Sequence, residues 1–118
     1  MLRSINIDDF HYLEGRYVDG DANYEVQHLI QAAENLEVFD LPLAGISLRH
    51  MICNGDLKSY LYHHKRIENA DLSYPIILAA DGYICDGWHR VAKAILLGQT
   101  TIKAKRLIIM PEPQIIKT

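Results

Sequence analysis

Cysteine is scarce in this 118-residue chain, and neither a surplus of positive charge nor a long apolar run is present. Cys53 and Cys85 stand far apart, in no metal-binding or redox spacing, so a zinc cluster, a Cys-x-x-Cys couple and a disulfide framework are all excluded. The N-terminus lacks the basic-then-apolar layout of a signal peptide. The longest apolar stretches, such as Ile76 to Ala80, fall far short of the roughly 20 residues of a membrane span. A reduced, cytoplasmic protein without membrane association is therefore expected. The formal charge of -3 and a pI near 6.0 give no bulk positive field for a nucleic acid backbone. Lys65, Arg66, Lys103, Lys105 and Arg106 are the candidates for a local basic patch, and they read more simply as solvated charges. Repeats, low-complexity tracts and interdomain linkers are also missing, so the chain reads as one domain over residues 1–118, large enough for a single core.

What is present is an ordinary globular balance, 49% hydrophobic and 23% charged, which excludes disorder. Residues 1 to 20 show no clear period and predict a loop with at most one short element; Asp19-Gly20-Asp21 has turn chemistry. From about Asn23 to Glu37, Val26, Leu29, Ile30, Ala33 and Leu36 recur at helical spacing and predict an amphipathic helix. "VFDLPLAGISL" (38–48) predicts a short extended segment, which Pro42 keeps away from a central strand position. "NGD" at 54–56 predicts a turn and N-cap for a second helix ending near Ala70, with Leu57, Tyr60, Leu61, His64 and Ile67 as its inward stripe.

"YPIILAADGYICDG" (74–87) has the form of a tight hairpin, with Asp81-Gly82 at its turn and a very short second strand. A helix from Trp88 to Leu97 follows, stopped by Gly98, and "TTIKAKRLIIM" predicts a strand with a buried end. The elements add up to a mixed α/β (α+β) domain with a small sheet flanked by helices.

Function concentrates where the short strand meets that helix, at Asp86, Gly87, Trp88, His89 and Arg90. A helix N-terminus presents unpaired N–H groups and a partial positive charge, hence a ready anion site. Arg90 adds a planar fork suited to phosphate oxygens, His89 a further donor, and Gly87 a backbone open to close approach. Asp86 would repel a bound phosphate, and three roles remain open for it: helix N-cap, Mg²⁺ ligand, or base toward a hydroxyl. The plain alternative for the whole stretch is a capping turn with solvated neighbours.

Residues 75–107 resemble the core of the ParB/sulfiredoxin superfamily, in which a strand hairpin runs into a Gly-x-(His or Arg)-Arg helix start followed by "A…G" and an "I.A" strand. The resemblance extends back through "HHKRIENADLSYP" to small stand-alone ParB-like bacterial proteins, giving a motif core over 57–109. It implies binding of a nucleotide (ATP, ADP or CTP) with its phosphates on Gly87, His89 and Arg90; beside these, Trp88 and Lys105 are candidate ligand contacts, and Asp86 is the candidate ligand of an accompanying Mg²⁺. Asp86, His89 and His63 would be the catalytic candidates. Sulfiredoxins carry a reactive cysteine where this chain has Trp88, so sulfinic-acid repair is excluded. The helix-turn-helix module of partition proteins is not among these residues, so sequence-specific DNA binding is not expected. The ADP-dependent free serine kinase shares the Asp-Gly-x-His-Arg start and is the nearest local match.

The remaining polar residues read more modestly. His63 has the spacing of the resembling proteins, although a histidine beside an apolar stripe is usually structural. Arg66 could reach a phosphate or pair with Glu68 or Glu34. Asp71 and Ser73 read as turn residues, Lys105 faces either way along its strand, and Asp8, Asp9 and Glu14 form an acidic loop able to supply a base. The leading expectation is a nucleotide-phosphate-binding domain acting as an NTPase or small-molecule phosphotransferase. The alternative is a non-catalytic, nucleotide-responsive module acting with a protein or DNA-associated partner; a ParB-like nuclease is disfavoured by the net charge.

Overall fold

The computed structural model describes residues 2–11 and 14–116. Among the described residues seven strands and three α-helices follow one another: β1 (Arg16–Asp19), β2 (Ala22–Glu25), α1 (Val26–Ala32), β3 (Phe39–Pro42), α2 (Leu57–Asn69), β4 (Ile76–Leu78), β5 (Ile84–Asp86), α3 (Trp88–Leu96), β6 (Thr101–Arg106) and β7 (Ile115–Ile116). β1, β2 and β7 form one antiparallel sheet; the other has the order β3-β6-β4-β5. The mixed α+β class expected from the sequence is what the chain adopts.

The four-stranded sheet places the site. β4 and β5 pair antiparallel across the Asp81-Gly82 turn, where the Asp81 carboxylate accepts from the Tyr83 N–H at 3.1 Å. α3 then carries the chain over one face, so that β6 returns parallel to β4, with Ile76 opposite Ala104. A parallel central strand is covered on both faces, and every residue of β4 is buried. On the α3 side, Ile76 and Leu78 meet Val91, Ala94, Ile102 and Ala104. On the other, Ile77 and Cys85 meet Leu29, Ala33 and Tyr24 from α1 and β2. β3 lies at the sheet edge with Pro42 at its end, where the missing N–H costs no central ladder bond.

Cations complete the helix ends. Helix C-termini leave carbonyls without intrahelical partners, at the negative end of the helix dipole. Lys93 Nζ donates to Glu68 O (2.9 Å) and Ala70 O (2.7 Å) at the end of α2; Lys105 Nζ donates to Ala33 O (3.0 Å) and Glu34 O (3.2 Å) at the end of α1. At the start of α2, the Asp56 carboxylate accepts from the Ser59 N–H, the predicted cap.

Three expectations are corrected. The helix expected from Asn23 begins only at Val26, because residues 22–25 pair with β1 through the Gly20-Asp21 turn and stack Tyr24 on Tyr17. Of the inward stripe expected for α2, Ile67 is half-buried as read, but Leu57, Tyr60 and Leu61 are exposed and His64 turns outward to Glu68; Tyr62, His63 and Arg66 are half-buried instead. Beyond β6, Leu107 is buried but Ile108 and Ile109 are exposed, since the chain leaves the sheet after Arg106. Among the described residues, no helix is long and apolar enough to cross a membrane.

Candidate functional site

Asp86 ends β5 and Gly87 precedes the first turn of α3. Gly87 has φ 117°, a left-handed value that L side chains rarely adopt, and a Cβ there would lie 2.4 Å from Ile76 Cγ2. The close approach anticipated for a ligand is thus already made by the core. Gly87 also holds the N-cap position, and among the described residues no side chain caps α3. The capping role considered for Asp86 is therefore overturned. Its carboxylate instead accepts from Arg90 Nη2 at 2.7 Å, one helical turn on.

Arg90 is fixed from a second direction, because Nη1 donates to Tyr74 O (3.1 Å) and Pro75 O (2.9 Å). One guanidinium thereby ties α3 to the end of β5 and to the segment that enters β4, a use of the planar fork that lysine could not reproduce. The segment before β4 is shaped by Asp71, which accepts from the Ser73 N–H and hydroxyl, as its turn chemistry predicted.

His89 meets His63 of α2, with His89 Nε2 and His63 Nδ1 2.7 Å apart. The ring centroids are 5.0 Å apart and the planes 11° from parallel, so the imidazoles meet edge to edge in nearly one plane. One ring nitrogen must donate and the other accept, an arrangement that suits two neutral rings. Burial, followed by the positive charges of Arg66 and Arg90 and the neighbouring His63 and His50, pushes His89 down to about 3. His63 is lowered as well, by burial and by Arg66. The pair is neutral at physiological pH, and its first role is to lock α2 onto α3.

Trp88 does not join the polar residues. It packs against the core face shared by Ile76 and Val91, and its indole stacks on His50 with centroids 4.2 Å apart. The Trp88 indole is therefore not among the groups that line the cavity on the other side of the turn. Cys85, buried on the opposite face, donates its thiol to Ile77 O, and burial pushes it up to about 12, leaving an unreactive small hydrophobe.

Around the turn lies a cavity of about 1140 Å³, bounded by α1, the C-terminal half of α2, the strand ends and residues 8–10. Asp86, Gly87, His89, Arg90 and Lys105 all line it; His63 stands behind His89. Its walls mix apolar surface from Val26, Ile30, Ala33 and Ile77 with the cations Lys65, Arg66, Arg90 and Lys105, the make-up of a small-molecule site. The Lys105 ammonium, though lining the cavity, is already held by the carbonyls ending α1.

Arg66 has the least expected setting. Its guanidinium lies 3.5 Å from the Phe10 ring centroid, a cation–π contact, rather than in either ion pair considered for it. Burial lowers its pKa, and Tyr62, Asp86 and Glu14 offset part of that effect. Its three-residue separation from His63 places both on one face of α2, the sequence signal that links Arg66 to the site. The Phe10 contact and the α1 wall had no local signal.

Asp86, the expected Mg²⁺ ligand, lines the cavity and is paired with Arg90; among the described residues no three His, Cys, Asp or Glu side chains come together as a metal cluster. No family model, no curated protein and no solved structure matches the chain.

Proposed function

We propose that the chain binds a phosphate-bearing small molecule, a nucleotide such as ATP, ADP or CTP, in the cavity at the N-terminus of α3. One observation carries this reading: the uncapped first turn of α3 opens on a cavity that also collects Arg66 and Arg90. Orphan N–H groups, the positive end of the helix dipole and guanidinium forks are the physical means by which proteins hold phosphate oxygens. The likeness of the Asp-Gly-Trp-His-Arg turn to the nucleotide-binding turn of the ParB/sulfiredoxin superfamily supports the same ligand class. The apolar wall from Val26, Ile30 and Ala33 suits a nucleoside better than inorganic phosphate alone.

Binding without turnover is the form the geometry favours. Asp86 is tied to Arg90, so its carboxylate is not poised over an acceptor, and a histidine titrating near 3 is a weak base at neutral pH. A nucleotide-responsive module needs neither group as a base. Phosphotransfer, the second reading, rests on Asp86 lining the same cavity: if Arg90 turned to a phosphate, the carboxylate would be freed toward an acceptor hydroxyl.

Thermal unfolding with ATP, ADP, CTP, GTP and pyrophosphate, each with and without Mg²⁺, tests the proposal. Ligand at about a hundred times its dissociation constant adds roughly 2.7 kcal/mol, a rise in Tm of about 10 °C for a domain of this size. At least one nucleotide should give such a rise in the parent chain, and Arg90→Gln should lose it while still showing a cooperative transition. A folded parent chain that responds to none of them would refute the proposal.

A further inference from the structure

Residues 2–11 form neither helix nor strand, yet three contacts fasten them to α2. Lys65 Nζ donates to Ile7 O at 2.7 Å and pairs with the Asp9 carboxylate at 2.7 Å, while Arg66 covers the Phe10 ring. The consequence for the cavity is electrostatic. With the segment docked, Asp8, Asp9, Glu34, Asp71 and Asp86 place five carboxylates against the four cations Lys65, Arg66, Arg90 and Lys105. Removing Asp8 and Asp9 leaves three against the same four. The cavity changes from net negative to net positive when the segment lifts.

We propose that residues 7–10 are an autoinhibitory strap, whose Asp9 and Phe10 occupy Lys65 and Arg66 in place of an anionic ligand, so that phosphate groups bind by displacing the strap. The attachment suits reversible release. An ion pair such as Lys65–Asp9, whose carboxylate is exposed, is worth little net free energy and weakens with salt, and a single cation–π contact adds only modestly to it. Arg66, once uncovered, lies on the face of α2 that bears His63 and adds a guanidinium near the first turn of α3. The displacement step rests on the nucleotide reading above; the docking of the strap does not.

The chain has two phenylalanines, Phe10 and Phe39, so incorporation of 4-fluorophenylalanine gives two fluorine resonances, assigned with Phe10→Leu. The Phe10 signal should lie away from its free-peptide position in the parent chain and move to that position in both Arg66→Ala and Lys65→Met, with Phe39 unmoved as a check on folding. Pyrophosphate should shift the Phe10 signal the same way, saturably. In calorimetry, Asp9→Asn/Phe10→Ser should bind pyrophosphate about tenfold more tightly than the parent, since a strap costing about 1.4 kcal/mol to lift would reduce apparent affinity by that factor. A Phe10 signal already at the free position in the parent chain overturns the strap. Equal pyrophosphate affinity in the two proteins overturns the competition alone. A docked Phe10 with no pyrophosphate binding in either protein overturns the anion-site reading, and the competition with it.

Discussion

Replacing Gly87 with alanine is expected to cost about 3 kcal/mol or more, a large part of the stability of a domain this size. Two penalties act together. The backbone must hold φ 117° with a side chain that disfavours it, and the new Cβ must displace Ile76, which is fully buried between β4 and α3. Because Ile76 sits in the central strand, it has little room to retreat without opening the core. Gly45→Ala is the control: that glycine has no left-handed φ, and nothing lies within 4 Å of its virtual Cβ. Urea unfolding should show a much lower midpoint for Gly87→Ala at unchanged slope, and a midpoint near the parent value for Gly45→Ala. Similar midpoints for Gly87→Ala and the parent would mean that the turn is not built as described.

Acid should destabilise the protein through His89. The folded ring is pushed down to about 3, chiefly by burial, whereas an unfolded histidine titrates near 6.5. Between those values the unfolded chain binds a proton that the folded chain refuses, so stability falls as pH drops from about 6.5 toward 3. The ring lines the cavity and is not fully buried, which reduces the effect to on the order of 2–4 kcal/mol across that window. His63 and His50, both lowered by burial, act in the same direction. Urea midpoints from pH 7.5 down to 4.5 should fall steeply in the parent chain and less steeply in His89→Gln. Parallel pH profiles for the two proteins would show that His89 is protonated in the folded state.

Much of the stretch from β4 to β6 is legible in the sequence because its punctuation is local. Asp81-Gly82 sets a turn, Gly98 with φ 77° ends α3, and an unbroken apolar run marks the strand buried on both faces. The same is true of the Asp56 cap. Reading fails where a distant partner decides. The stripe chosen for α2 follows apolar residues, but α2 faces α3 and the N-terminal segment, whose contacts are made by His63, Lys65 and Arg66. The start of α1 is lost to a hairpin whose pairing depends on Tyr17 and Tyr24 meeting across the strands.

The candidate site divides in the same way. The spacing of Asp86, Gly87, His89 and Arg90 marks the turn, and all four line the cavity. What each does within the fold is not visible in that spacing. Gly87 makes room for Ile76, Asp86 and Arg90 bind each other, and Trp88 belongs to the core. These structural duties are compatible with a phosphate at the first-turn N–H groups, which no side chain occupies as a cap.

The most direct test of that claim is amide NMR of the ¹⁵N-labelled chain during titration with ATP. The account predicts the largest shift changes at the backbone amides of Trp88, His89 and Arg90, saturating at one ligand per chain, with the Arg66 and Arg90 side-chain signals moving along the same isotherm. ATP that leaves those three amides unmoved, or that shifts a separate surface instead, would contradict it.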